Sequence, residues 1–85
     1  MLLDVREPWE FALSRIEGST LVPMAEVPAG ASGLDPEAET VVICHHGVRS
    51  AYVAQFLSRS GFGNVLNLRG GLDAYSGADP SVPWY

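Results

Sequence analysis

The run TVVIC, from Thr40 to Cys44, constrains the fold more than any other part of the chain. Its residues are β-branched or apolar on both faces of an extended strand, which is typical of a strand at the centre of a parallel sheet. A helix is predicted to begin at Gly47 and to end at Gly61, a residue that can adopt the left-handed conformation found at helix ends. A buried strand that leads directly into a helix predicts an α/β fold.

Three more apolar segments predict the other strands of this sheet. Leu2, Leu3 and Val5 indicate a strand at the start, residues 20–22 a short strand closed by Pro23, and residues 64–68 a strand after the helix. Strands that alternate with helical segments predict a small, mainly parallel sheet flanked by helices, in one domain that spans residues 1–85.

The remaining segments are predicted to be helices or loops. Pro8 suits the first turn of a helix whose inward side chains are then Trp9, Phe11, Ala12 and Leu13. Residues 24–39 are rich in glycine, proline and serine and predict a loop or a short helix. Gly70 and Gly71 predict a tight turn into a last short helix, and residues 78–85 an irregular tail in which Trp84 and Tyr85 serve for packing.

Composition and charge exclude several classes of protein. The 85 residues are 47% hydrophobic and 18% charged, which is typical of a folded globular domain. A net charge of −5 argues against nucleic acid as a partner. No apolar run is long enough to span a membrane, and Asp4, Arg6 and Glu7 are unlike the start of a secretory signal. The single cysteine cannot form an internal disulfide and favours a reducing compartment, so we expect a cytoplasmic protein.

Cys44 is the main candidate for chemistry. Sites in open parallel sheets lie beyond the carboxyl ends of the strands, where both Cys44 and Asp4 are expected. The N–H groups and positive dipole at a helix start favour a thiolate, which is the nucleophilic form of cysteine. Gly47 permits a tight loop whose N–H groups point at one centre. The pattern predicts an anion-binding loop around a nucleophilic sulfur.

Arg49 is expected to face this loop. At about 3.6 residues per turn, Val53, Phe56 and Leu57 form the buried stripe of the helix, and Arg49 precedes Val53 by four residues on the same side. Gln55, Ser58 and Arg59 are expected to face water. An inward arginine needs an anionic partner, and the candidates are the Cys44 thiolate, whatever binds to it, and Asp4.

The residues around Cys44 leave some roles open. His45 and His46 are adjacent and no other cysteine–histidine pair exists, so a zinc site is disfavoured and we predict no metal. The two histidines either form the rim of the pocket or act with Cys44 as a catalytic dyad. Ser50 either caps the helix or provides a hydroxyl group to the anion site.

Three segments of the chain are LLDVREPWEF, VVICHHGVRSAYVAQFLSRSGF and NVLNLRGGLDAY. Together they resemble the rhodanese-like sulfurtransferase domain, and the likeness covers nearly the whole chain. The resemblance implies a parallel sheet flanked by helices and a cysteine that carries sulfur as a persulfide. Cys44 matches the active cysteine, residues 45–49 (including Val48) match its loop, and Asp4 and Arg6 match a pair that supports this loop. The further strand and helix that usually precede this pattern in the family are not seen before LLDVRE.

The sequence therefore predicts an enzyme that moves sulfane sulfur. The Cys44 thiolate attacks a donor such as thiosulfate, Arg49 and the loop stabilise the persulfide, and an acceptor thiol or cyanide removes the sulfur. A persulfidated protein is another possible donor or acceptor, and no metal or organic cofactor is expected.

Two alternatives remain. The first is a cysteine-dependent phosphatase or arsenate reductase; related phosphatase loops have one residue more than the four between Cys44 and Arg49. The second is a non-catalytic interaction module of the same fold, although such a module does not need Cys44.

Overall fold

The computed structural model describes residues 1–79 and Val82, and it contains one four-stranded parallel sheet. The strands are β1 (Leu2–Asp4), β2 (Thr20–Leu21), β3 (Thr40–Ile43) and β4 (Val65–Asn67), in the order β2-β1-β3-β4. Each neighbouring pair is parallel. The predicted central position of the TVVIC strand is confirmed, because β3 lies between β1 and β4.

Among the described residues, four α-helices connect and cover these strands. They are α1 (Pro8–Leu13), α2 (Val27–Gly30), α3 (Val48–Arg59) and α4 (Gly71–Ala78), with short 3₁₀ turns at Met24–Glu26 and Ala31–Gly33. Pro8 occupies the first turn of α1, and Gly61 adopts a left-handed φ of 98° just after α3, as predicted. None of the helices in the described part of the chain is long and apolar enough to cross a membrane.

The two faces of the sheet carry separate apolar clusters. Because side chains alternate along a strand, Val42 and Cys44 contribute to one cluster and Ile43 to the other. The first cluster contains Val53 and Leu57 of α3, and the second contains Leu72 of α4. Helices therefore cover both faces of the sheet, which confirms the predicted α/β class. Cys44 belongs to the face that α3 covers.

The predicted inward face of α1 is wrong. Trp9 and Leu13 are 62% and 57% exposed, Phe11 is half-buried, and the buried side chain of this helix is that of Glu10. The physical reason is that the inner side of α1 meets two cations: the backbone oxygen of Glu10 accepts from the buried Arg6, and the Glu10 carboxylate accepts from Arg49. The predicted packing of Trp84 and Tyr85 lies outside the described residues.

The buried stripe of α3 is also shifted from the predicted one. Val53 and Leu57 are buried as expected, but Phe56 is 39% exposed and Ser50 is completely buried. The spacing of Ser50, Val53 and Leu57 still follows one side of a helix. This orientation places a hydroxyl group, and not an aromatic ring, against the end of β3.

Arg6 forms a buried ion pair that joins β1 to α1. Its side chain and that of Asp4 are both 0% exposed. The guanidinium Nε and Nη2 donate to the Asp4 carboxylate at 2.9 and 2.7 Å, and other N–H groups donate to the backbone oxygens of Glu10 at 3.3 Å and Ser14 at 2.6 Å. Because these acceptors lie on two elements, one cation fixes α1 to the carboxyl end of the sheet.

We predict that Arg6→Ala lowers the free energy of unfolding by about 3 to 5 kcal/mol, because it leaves the Asp4 carboxylate buried without its cation. Urea denaturation followed by circular dichroism measures this change. Arg15→Ala is the matched control, because Arg15 is exposed and we expect an effect of about 1 kcal/mol or less. Equal losses in the two variants would contradict the structural role of Arg6.

Candidate active site

Cys44 follows the last residue of β3, and its loop leads directly into α3. The sulfur atom accepts a hydrogen bond from the Gly47 N–H at 3.0 Å and lies 3.3 Å from the Ser50 hydroxyl oxygen. Gly47 precedes α3 with a φ of 95°, in the left-handed region that glycine tolerates best. The loop thus has the predicted geometry, with donors directed at the sulfur at the start of a helix.

Burial and hydrogen bonding act in opposite directions on the pKa of Cys44. Burial of the sulfur raises the pKa, because it disfavours the charged form. Hydrogen bonds from the Ser50 hydroxyl and from the backbone N–H groups of Ser50, Gly47 and His46 outweigh this effect and lower the pKa below the ordinary value of a thiol. The contribution of His46 to this shift comes from its backbone. The thiolate is therefore available at a lower pH than in a free cysteine.

The start of α4 holds the carbonyl groups of the loop. The Leu72 N–H donates to the Cys44 oxygen at 2.7 Å, and the Asp73 N–H donates to the His45 oxygen at 2.9 Å. Gly70 and Gly71 have φ values of 77° and 64°, which confirms the predicted tight turn between strand and helix. Because these carbonyl oxygens are bound on the α4 side, they are turned away from the sulfur.

Gly71 is required by this close approach. A Cβ atom at Gly71 would lie 2.4 Å from the His45 oxygen and 2.6 Å from the Cys44 oxygen. Both are backbone atoms, which cannot move without moving the loop. The pair of glycines in the sequence predicted the turn, but not its contact with the Cys44 loop.

A closed ring of hydrogen bonds includes the Cys44 sulfur, Ser50, Asn67 and Gly47. The Ser50 hydroxyl donates to Oδ1 of Asn67, and Nδ2 of Asn67 donates to the Gly47 oxygen at 3.2 Å. Of the two roles left open for Ser50, this geometry favours the hydroxyl at the anion site. Asn67 was missed by the sequence analysis, because an asparagine in an edge strand has no pattern that indicates its partners.

Arg49 pairs with Glu10 of α1. Its Nη1 and Nη2 donate to the two carboxylate oxygens at 2.6 and 2.8 Å, and the Glu10 side chain is only 6% exposed. Asp4 was one of three candidate partners, and its carboxylate is bound by Arg6. Glu10 was not singled out from the sequence. The ion pair ties the first turn of α3 to α1, which Arg6 in turn ties to β1.

The other predicted loop residues lie at the rim. Val48 is 64% exposed, His46 is exposed, and His45 is half-buried with its ring against that of His46. Asp73 comes close to both histidines, so that one potential ligand atom from each of the three lies within 4.8 Å of the others. Groups of this kind are common at protein surfaces, and the absence of a metal remains a prediction.

An open cavity of about 590 Å³ borders the loop. Its lining includes His46, Gly47, Asn67, Arg69 and the exposed Tyr52. The cavity therefore reaches two residues of the hydrogen-bonded ring, Gly47 and Asn67, from the solvent side.

Comparisons with known proteins agree with one another. A model of the rhodanese-like domain family matches residues 1–78. The thiosulfate sulfurtransferase GlpE of Pseudomonas fluorescens is 36% identical over 81 residues, which cover 95% of this chain and 74% of that protein. A rhodanese-related protein from Thermoplasma volcanium has a similar structure, with a TM-score of 0.87 and 35% identity over 92% of this chain and 77% of that one.

A longer plant protein is also similar. The Rhodanese-like/PpiC domain-containing protein 12, chloroplastic, of Arabidopsis thaliana is 42% identical over 89 residues. The alignment covers 99% of this chain but 30% of that protein, so the chain spans less than a third of its length.

We predict that Gly71→Ala displaces the Cys44 loop and slows alkylation of the thiol by iodoacetamide, because its methyl group overlaps two backbone oxygens. Gly18→Ala is the matched control. Gly18 also has a positive φ, 85°, but nothing lies within 4 Å of an added Cβ, so only the backbone strain of about 1 to 2 kcal/mol is expected. Equal alkylation rates in the two variants would show that Gly71 does not shape the loop.

Proposed function

The chain belongs to the rhodanese-like domain family, and on that premise we propose that it transfers sulfane sulfur through a persulfide on Cys44. Similarity to a protein named thiosulfate sulfurtransferase supports a sulfur-transfer role. The observation that carries the proposal for this chain is the environment of the Cys44 sulfur, which accepts the Gly47 N–H at 3.0 Å and has a lowered pKa. A buried thiol with these donors is suited to nucleophilic attack.

The proposed reaction has two steps. In the first, the Cys44 thiolate attacks the outer sulfur of thiosulfate, a new S–S bond forms, the S–S bond of thiosulfate breaks, and sulfite leaves with the electron pair. In the second, an acceptor thiol or cyanide attacks the outer sulfur of the persulfide, and the Cys44 thiolate is released. In both steps the attacking group supplies an electron pair and the leaving group takes one, so neither step requires an oxidant, a reductant, a resident metal or an organic cofactor.

The loop is suited to stabilise negative charge on the sulfur, both on the ionised Cys44 and on its persulfide. The Gly47 N–H and the Ser50 hydroxyl lie within hydrogen-bond distance of the sulfur. The carbonyl oxygens of Cys44 and His45, which would repel an anion, are bound by N–H groups of α4. The Gly47 N–H is already oriented and needs no rearrangement when charge develops, which is the main source of its effect on rate.

Arg49 has two roles in this proposal. Its ion pair with Glu10 fixes the start of α3, and its positive charge favours the approach of an anionic donor such as thiosulfate. Glu10 offsets part of that charge, so the positional role of Arg49 is the larger one. Lysine cannot reproduce the two parallel hydrogen bonds of the guanidinium group.

We predict that Arg49→Ala lowers thiosulfate turnover by about tenfold to a thousandfold and that Arg49→Lys recovers part of this loss. Steady-state kinetics with cyanide as acceptor measure the effect. Arg59→Ala, at the exposed end of α3, is the matched control and should retain activity. Kinetics of Arg49→Ala that equal those of the unmodified protein would show that neither the ion pair nor the charge contributes.

We predict that thiosulfate adds the mass of one sulfur atom to the intact protein and that cyanide removes it. Cys44→Ser should fold and show no such gain, because a serine hydroxyl has a pKa too high to act as this nucleophile. Intact-mass spectrometry measures both proteins. A sulfur adduct on Cys44→Ser, or faster hydrolysis of aryl phosphates than transfer of sulfur, would contradict the proposal; the second outcome would favour a phosphatase.

A further inference from the structure

Asn67 lies at the end of the edge strand β4 and has no part in the reaction as described so far. Its Oδ1 accepts a hydrogen bond from the hydroxyl of Ser50, the residue whose oxygen lies 3.3 Å from the Cys44 sulfur. We propose that Asn67 is a positioning residue that competes with the Cys44 thiolate for the Ser50 proton and so controls when the sulfur becomes a nucleophile. The inference rests on the proposed role of Cys44 as the nucleophile.

The orientation of the Asn67 amide is set by its second partner. Nδ2 of Asn67 donates to the Gly47 oxygen at 3.2 Å, and this leaves Oδ1 toward Ser50. An inverted amide would place its oxygen against the Gly47 oxygen, and two acceptors would then face each other without a proton between them. The amide oxygen can only accept, so the Ser50 hydroxyl donates to it.

The hydroxyl of Ser50 has one proton, and this determines the direction of the whole chain of bonds. While that proton is directed at Asn67, Ser50 can only accept from Cys44, which must then be a neutral thiol with its S–H directed at the Ser50 oxygen. The ring in this state runs from the Cys44 thiol through Ser50 and Asn67 to the Gly47 oxygen.

Ionisation of Cys44 reverses one of these bonds. The thiol proton leaves to solvent, the Ser50 hydroxyl rotates, and its proton is donated to the thiolate, while Oδ1 of Asn67 loses its donor. The hydrogen bond from Ser50 is one of the interactions that lower the pKa of Cys44. Asn67 therefore stabilises the thiol form, and Ser50 stabilises the thiolate form. Cys44 therefore stays protonated as long as the Ser50 hydroxyl donates to Asn67, and it ionises when this hydroxyl donates to the sulfur.

Other ionisable groups surround Cys44 and remain unchanged when Asn67 is replaced. Four of these groups form the ion pairs Asp4–Arg6 and Glu10–Arg49. The others are His45, His46, Arg69 and Asp73. A change in the titration of Cys44 in an Asn67 variant therefore reports the amide itself. Asn67 is exposed, so we expect its variants to fold.

A pH titration of the thiolate absorbance in the far ultraviolet measures the ionisation of Cys44 directly, because the chain has one cysteine. The Cys44→Ser variant provides the background. We expect Asn67→Ala to lower the pKa of Cys44 and to raise the thiolate fraction below the midpoint by about two- to tenfold, the effect of one neutral hydrogen bond. Asn67→Asp should raise the pKa, because an anionic acceptor holds the Ser50 proton more strongly. A loosened loop would shift both variants in the same direction.

The double variant Ser50→Ala/Asn67→Ala tests the route of the effect. Ser50→Ala alone should raise the pKa, and adding Asn67→Ala should then change nothing, because the shared proton is gone. Asn64→Ala, an exposed asparagine just before the same strand, is the matched control and should titrate like the unmodified protein.

A higher or unchanged pKa in Asn67→Ala would overturn the inference, as would an equal shift in the presence and absence of Ser50. The titration needs no sulfur donor, so it separates this inference from the proposed function: sulfur transfer can fail while Asn67 still controls ionisation, and the reverse can also occur.

Discussion

The guanidinium of Arg6 is completely buried and donates to the Asp4 carboxylate and to two backbone oxygens of the first helix and its end. A guanidinium group that is shielded from water must find all its hydrogen-bond acceptors within the protein, so the segments that carry these acceptors cannot move independently. The position of α1 relative to β1 follows from this requirement. Glu10, in the first turn of α1, is thereby held where it meets Arg49 of α3. Two consecutive ion pairs thus connect the carboxyl end of β1 to the helix that begins at the Cys44 loop.

The Cys44 loop is held from both sides. On one side, the N-terminal turn of α4 binds the carbonyl oxygens of Cys44 and His45, and Gly71 permits this approach because it has no side chain. On the other side, donors from the loop and from α3 face the sulfur. The two sets of contacts act together. Each peptide group that turns its oxygen away from the sulfur removes a negative dipole end from it, and this favours an anion there. The lowered pKa of Cys44, in spite of its burial, is the result.

The positions of the strands, the helix after β3 and the glycine turns followed from local patterns. β-branched runs, glycines with positive φ and a proline at a helix start act through the conformation of a few neighbouring residues, and such effects are visible in a short segment. The inward faces of the helices were harder to predict from the sequence. Trp9, Leu13 and Phe56 are apolar and at suitable spacing, yet they are exposed, while Glu10 and Ser50 are buried. Hydrophobicity alone could not predict this, because the Glu10 carboxylate is bound by Arg49 and the Ser50 hydroxyl lies beside the Cys44 sulfur.

The sequence by itself determined the fold class, the place of Cys44 at the end of a central strand and the glycines that allow its loop. These features depend on residues close together in the chain. Only the tertiary structure decided which partners complete the site. Glu10 and Arg49 are separated by 39 positions, and Ser50 and Asn67 by 17. Neither separation carries a periodic pattern, because contacts between different elements are set by how helices and strands pack and by the need to satisfy every buried polar group.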